Sequence, residues 1–419
     1  MTQGYHKYDI EDYPGERRNT APVWIIAGAV GLVLVVAIAS FFIRRTHHTV
    51  RTDVAAVRPA PKPAADALPV PVGPALPWAT MVFPTEQNIL GNTGKEFQPT
   101  ATGKPESALY GSTRTGPLGA AFHEGVDIAP VKRDARGRVV DTVRAVADGR
   151  VVYANRVGGN STYGKYVVVF HHDPLGEVYT LYAHLAQVED SATPGATVQP
   201  GTPLGVMGNT SSFRTSFLPH LHLEFGLMVN QHFDGWFRAQ NLKPDHGIYH
   251  GYNLLAINPL SVFEAFKQRP DLDMGAHLKS IPVAFQIAVR LQHTLDFFTR
   301  YPSLWKGAQQ IGEEVVVLDC SENGLPLSGR LATEAETSDM GRDRVKVLSV
   351  NEEALGRNGA HIIAGSAGDW HLQAKHGQNW LDILTYEPGG SLSFAMAASA
   401  RKPATASQKT SPQKKKKSR

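Results

Sequence analysis

Between Val139 and Phe225 the chain alternates short β-branched or aromatic runs with glycine turns, and no stretch carries an amphipathic period long enough for a helix. Such a pattern is expected to fold as β-sheet, with short loops that favour antiparallel connections. Val143–Ala147 leads through Asp148-Gly149, a hairpin-type turn signal, into Arg150–Ala154. Tyr166–Phe170 and Val178–Tyr182 read as two further strands around a polar loop. Gly195, Gly201, Gly205 and Gly208 then punctuate the chain before a last strand at Leu221–Phe225.

The flanking segments have other compositions. Ala21 to Ile43 contains no charged residue and matches one helical crossing of a bilayer. Its apolar core is longer than that of a signal peptide, which favours a retained anchor. Basic residues are balanced on its two sides, with Lys7, Arg17 and Arg18 before and Arg44, Arg45 and Arg51 after, so charge does not choose the orientation. A Pro/Ala-rich stretch follows that cannot build a core and reads as a spacer. The predicted organisation is a polar leader 1–20, a transmembrane helix 21–43, a linker 44–80, a β domain with its flanks 81–250, a C-terminal module 251–393 and a basic tail 394–419. In the C-terminal module Ser280–Arg300 suggests a helix after Pro282. Val315–Leu318, Val345–Val350 and Trp380–Leu384 suggest strands, making that region α+β. The fold class is therefore mainly β, with one membrane helix and an additional α+β region.

The whole chain carries +4, while its last 19 residues hold eight basic groups and no acid. The body is therefore mildly acidic and offers no general case for nucleic-acid binding. The lysine-rich end suits contact with an anionic lipid or polymer, or serves as a solubilising tail. Cys320 is the single cysteine, so no intramolecular disulfide can form.

Three short segments carry the chemistry. In His220-Leu221-His222-Leu223-Glu224 a strand period of two puts both imidazoles and the carboxylate on one face, and the leucines on the other. His123-Glu124-Gly125-Val126-Asp127 adds an imidazole and a carboxylate around a glycine, and Tyr182-Ala183-His184 ends another strand. Two histidines with one carboxylate suit a hydrolytic Zn2+ site that keeps a coordination position for water. His123, Asp127 and His222 are assigned to the metal. His184 and His220 remain beside the bound water and substrate carbonyl as acid–base and oxyanion-stabilising groups, in an order the sequence leaves open. The chain has no Gly-x-Ser-x-Gly elbow, no phosphate-binding glycine loop and no His-Glu-x-x-His helix.

These segments, with Val146–Val152, Tyr163-Gly164, the four spaced glycines and Asn209-Thr210, resemble the lysostaphin-type peptidoglycan endopeptidases, the M23 or LytM family, over roughly residues 118–230. The resemblance implies a compact, mainly antiparallel β domain. It also implies one zinc ion on His123, Asp127 and His222, with catalytic roles for His184 and His220. The implied substrate is the peptide of peptidoglycan. An anchored, Pro-spaced enzyme fits a bacterial inner membrane with its catalytic portion in the periplasm, cleaving D-alanyl–meso-diaminopimelate cross-links. A noncatalytic peptidoglycan-binding or hydrolase-activating protein is the chief alternative, and a peptidase of a secreted protein is the second. Residues 131–142 and 211–218 depart from the family pattern, and nothing after 250 has a counterpart in it.

Among the other histidines, His171 or His172 could support the site through a hydrogen bond or fill loop and core. His246, His250, His361, His371 and His376 read as ordinary polar residues. Glu224 is expected either to orient a histidine or to pack, and Tyr163 and Tyr182 to be strand aromatics.

Overall fold

The computed structural model describes residues 76–389, apart from 101–102, 117–118, 213–217, 244, 311–312 and 357–361. The apolar run 21–43, the linker up to residue 75 and the basic tail lie outside the described residues. Among those described, no helix is long and apolar enough to cross a membrane.

The β domain begins with β1 (Thr113–Gly116), β2 (Gly119–Phe122) and β3 (Val126–Ile128). It continues through β4 (Thr142–Arg144), β5 (Gly149–Asn155), β6 (Lys165–Asp173), β7 (Gly176–Leu185) and β8 (Gln187–Val188). It closes with β9 (Thr197–Val198), β10 (Pro203–Val206), β11 (Leu221–Met228) and β12 (Leu254–Ile257). The main sheet runs β12-β11-β7-β6-β5-β9, with β3 also paired to β11, and its pairings are antiparallel. Its edge strand β12 lies beyond residue 250 yet belongs to this sheet. β4, β10 and β8 form a smaller antiparallel sheet.

The expected strands are present, but Asp148-Gly149 does not close a hairpin. β4 pairs with β10 while β5 pairs with β6 and β9, so the chain passes from one sheet to the other at this point. Gly149 serves a different purpose: a Cβ there would lie 2.6 Å from the Phe170 carbonyl oxygen and 2.8 Å from His171 Nδ1.

Alternation along β11 works as the sequence pattern predicts. Leu221, Leu223, Phe225 and Leu227 enter the main core, leaving His222 and Glu224 on the other face. The core is sealed by the helix Pro259–Gln268, capped by Asn258, whose Phe263 and Phe266 pack on Phe225 and Trp78. Trp78, which the sequence pattern leaves in the linker, is buried and donates its indole N–H to Asp173 at 2.7 Å. The packed body therefore starts before residue 81.

The C-terminal region holds β13 (Phe285–Leu291), β14 (Trp305–Lys306), β15 (Glu314–Cys320), β16 (Pro326–Leu331) and β17 (Val345–Val350). They form a five-stranded sheet of order β14-β16-β15-β13-β17. Two expectations are corrected here. Of the segment expected to be helical after Pro282, Phe285–Leu291 is the strand β13, because Phe285, Ile287, Val289 and Leu291 alternate into the core, and only Asp296–Arg300 is a helix. Trp380–Leu384, expected as a strand, lies in the helix His376–Leu384, where Gly377, Trp380, Leu381 and Leu384 share one buried face at helical spacing. This region docks on the end of β11: Arg300 Nη2 donates to the Val229 carbonyl at 2.7 Å, and Asn230 Nδ2 to those of Ile383 and Tyr386 at 2.8 Å each. One hydrophobic core runs through both parts.

His171 is structural. Its Nδ1 donates to the Asp148 carbonyl at 2.7 Å, its Nε2 accepts from the Thr180 hydroxyl at 2.8 Å, and Trp78 packs on its ring. Burial pushes its pKa down from 6.5 to about 4. The unfolded chain therefore binds more protons between those values, and stability is lost as pH falls through that window, by up to about 3 kcal/mol. Thermal melts from pH 7 to 4 should show this fall, and His171→Asn should flatten it. An unchanged slope in the variant would assign the acid sensitivity elsewhere.

Candidate metal centre

His123, Asp127 and His222 are brought together by strand pairing. β3 pairs antiparallel with β11 so that Asp127 sits directly opposite His222, and His123 precedes β3 by a short turn. Gly125 makes this approach possible, since a Cβ there would lie 2.4 Å from the Leu223 carbonyl oxygen and 2.8 Å from His222 Cε1. His123 Nε2 is 3.1 Å from Asp127 Oδ1 and 3.0 Å from His222 Nδ1, which is itself 3.0 Å from Asp127 Oδ1. All three residues are buried and form a group that could hold a metal ion.

The outer contacts decide which ring nitrogens carry hydrogen. His123 Nδ1 lies 2.9 Å from the Leu109 carbonyl, which can only accept, so that nitrogen donates and Nε2 keeps its lone pair. His222 Nε2 faces Glu224 Oε1 at 2.9 Å and donates there, turning Nδ1 inward. Three electron-pair acceptors therefore meet at hydrogen-bonding distance. They repel one another unless a cation lies among them. Burial lowers the His222 pKa, but its bonds to Asp127 and Glu224 more than offset this and raise it above the usual value. The donor set, two imidazoles and a carboxylate with their outer nitrogens tied back, suits zinc.

His184 and His220 stand beside this group. The His184 ring lies 4.7 Å from that of His220 and 5.9 Å from that of His222, centre to centre. His184 Nδ1 donates to the Thr210 carbonyl at 2.9 Å and His220 Nδ1 to that of Leu218 at 2.7 Å, so each presents an Nε2 lone pair. His220 Nε2 is 3.7 Å from Asp127 Oδ1. Burial, followed by the charges of His220 and His222, pushes the His184 pKa well below 6.5. His184 adopts φ +61°, where β7 carries an extra residue against β6. Such a bulge re-aims a side chain and stores backbone strain. Tyr163-Gly164 and Thr210 cradle it: the His184 amide donates to the Tyr163 carbonyl at 2.9 Å, and a Cβ on Gly164 would lie 2.1 Å from the Thr210 carbonyl oxygen.

All five expected side chains converge. Glu224 orients His222, and its carboxylate also accepts from Tyr163 at 2.7 Å and Tyr179 at 3.0 Å. Tyr182 is instead a core residue whose hydroxyl accepts from the Val146 amide. Neither His171 nor the exposed His172 bonds to the ligands. Thr100, which donates to Asp127 Oδ2 at 2.7 Å, carried no signal in the sequence because only the tertiary fold brings it there. His246 bonds to Tyr153 and to the Asn160 carbonyl.

A buried cluster of two histidines and a carboxylate within an antiparallel sheet defines a candidate mononuclear metal site. Residues 121–234 match the model of peptidase family M23. Among solved structures it is similar to a zinc containing peptidase from Vibrio cholerae, at 23% identity over 28% of this chain and 32% of that one, with a TM-score of 0.22. It is also similar to the catalytic domain of the antimicrobial peptidase lysostaphin from Staphylococcus simulans, at 24% identity over 28% and 76% of the two chains, with a TM-score of 0.22. Csd3 of Helicobacter pylori matches at 22% identity over 40% and 34%, with a TM-score of 0.23. This chain thus spans about a third of the Vibrio cholerae peptidase. Comparison with curated proteins gave no match.

Proposed function

We propose that this chain is a zinc-dependent endopeptidase that hydrolyses peptide cross-links of peptidoglycan. The observation that carries the reading is the convergence of three lone-pair atoms from His123, Asp127 and His222 at 3.0–3.1 Å with their outer nitrogens already committed. Zinc bound there supplies a Lewis acid that lowers the pKa of water and polarises a peptide carbonyl. The protein's own groups handle the protons. His184, kept neutral by burial, accepts a hydrogen bond from the attacking water at Nε2. His220, whose Nε2 lies 3.7 Å from the Asp127 carboxylate, stands beside His184, where once protonated it would donate to the developing oxyanion and pass that proton to the departing amine.

The finer assignment is the D-alanyl–meso-diaminopimelate bond, with the enzyme anchored in a bacterial inner membrane through 21–43 and working in the periplasm. The uncharged apolar run and the Pro/Ala spacer support that placement. The lysine-rich tail is assigned to anionic polymer or lipid. Full-length protein incubated with cross-linked sacculi should release one new amino group per cross-link lost, and a chelator should stop it until zinc is restored. Sacculi bound without loss of cross-links would favour a noncatalytic role, and cleavage of a polypeptide alone would favour the secreted-protein reading.

A further inference from the structure

The loop that carries His123 is tied to the C-terminal region through a buried pair. Glu124, between His123 and Gly125, is 2% exposed, and its Oε2 accepts from Asn323 Nδ2 at 2.8 Å and from the Ala256 amide at 3.2 Å. Asn323 is fully buried in the turn between β15 and β16. Its Nδ2 also donates to the Ala256 carbonyl at 2.9 Å, so both amide protons have acceptors. The Ser321 hydroxyl donates to Asn323 Oδ1 at 2.7 Å, which settles which way the amide points. The turn itself is pinned by Trp380, whose indole N–H donates to the Gly324 carbonyl at 2.9 Å.

We infer that the C-terminal region is a positioning element for the metal site, with Asn323 acting through Glu124 to hold the His123 loop against β11. This inference rests on the metal-site reading above. The physical reason is the cost of an underbonded buried carboxylate. Without the Asn323 amide, Glu124 loses a buried hydrogen bond, and moving toward solvent is one way to recover it. Any such movement carries His123 with it, because the two residues are adjacent and Gly125 is closely packed against Leu223 and His222. The arrangement gives the region after β12 a role in keeping the ligands in register.

The test uses full-length protein, titrated with zinc against a chromophoric chelator, with circular dichroism and melting recorded on metal-free samples. Asn323→Ala is expected to bind zinc about tenfold more weakly, in the range of outer-shell substitutions. At saturating zinc it should keep KM and recover kcat. Arg300→Met, which removes the bond to the Val229 carbonyl at the end of β11, should melt lower with unchanged zinc affinity. If Asn323→Ala does not fold, Asn323→Ser takes its place, its hydroxyl being too short to reach Glu124. Zinc affinity equal to wild type in the Asn323 variant, or an equal loss in Arg300→Met, overturns the inference and leaves the metal site standing. A wild-type chain that takes up no zinc overturns both.

Discussion

Asp127→Ala is expected to abolish zinc uptake at micromolar metal and, with it, peptide cleavage, while the metal-free fold survives. The carboxylate is the one anionic group among the three candidate ligands, and its Oδ1 lies 3.0–3.1 Å from both ring nitrogens. Removing it leaves two imidazoles, and the loss of affinity should exceed the roughly 10–100-fold of outer-shell changes. The β3–β11 pairing uses backbone groups, so the sheet does not depend on this side chain. The same site sets a pH dependence. The raised pKa of His222 means that a proton competes for Nδ1, so wild-type zinc affinity should fall as pH drops and that proton is taken up. Chelator titrations at several pH values measure both effects. Zinc bound to Asp127→Ala as tightly as to wild type would remove this residue from the ligand set.

His184→Ala should separate chemistry from metal. Zinc affinity is expected to stay near wild type, because His184 Nδ1 is committed to the Thr210 carbonyl and the ring lies outside the triangle of ligand atoms. Turnover should fall by about 10²–10⁴, the usual contribution of a positioned acid–base group. The backbone supplies a second signature. At φ +61° a Cβ is strained, so His184→Gly should melt higher than His184→Ala, by roughly 1 kcal/mol of stability, while remaining as inactive. Assays on sacculi with melts of all three proteins check this, and an alanine variant with near-normal turnover would exclude His184 from the proton-handling step.

Much of the site was legible because β11 carries its own geometry. A period of two sends His222 and Glu224 one way and Leu221, Leu223 and Phe225 the other, so the shared face of the histidine strand could be read from composition alone. The role of Glu224 could not, because orienting a ring and packing in a core call for the same buried position. Here the bonds to His222, Tyr163 and Tyr179 decide it. Local pattern also failed where tertiary packing chose between periods. Phe285–Leu291 is apolar enough for either helix or strand and became an interior strand of a sheet, while Trp380–Leu384 went the other way.

The sequence by itself determined the elements that need only neighbours along the chain: the β-rich body, the glycine in the His123 loop, the donor types and their order. Chain folding alone decided the rest. It set Asp127 opposite His222, turned His184 through a left-handed residue, brought Thr100 to Asp127 and placed Asn323 on Glu124. The division has a physical cause. Side-chain direction follows from backbone period over a few residues, whereas the positions of lone pairs and protons depend on partners up to 199 residues away, which no local pattern encodes.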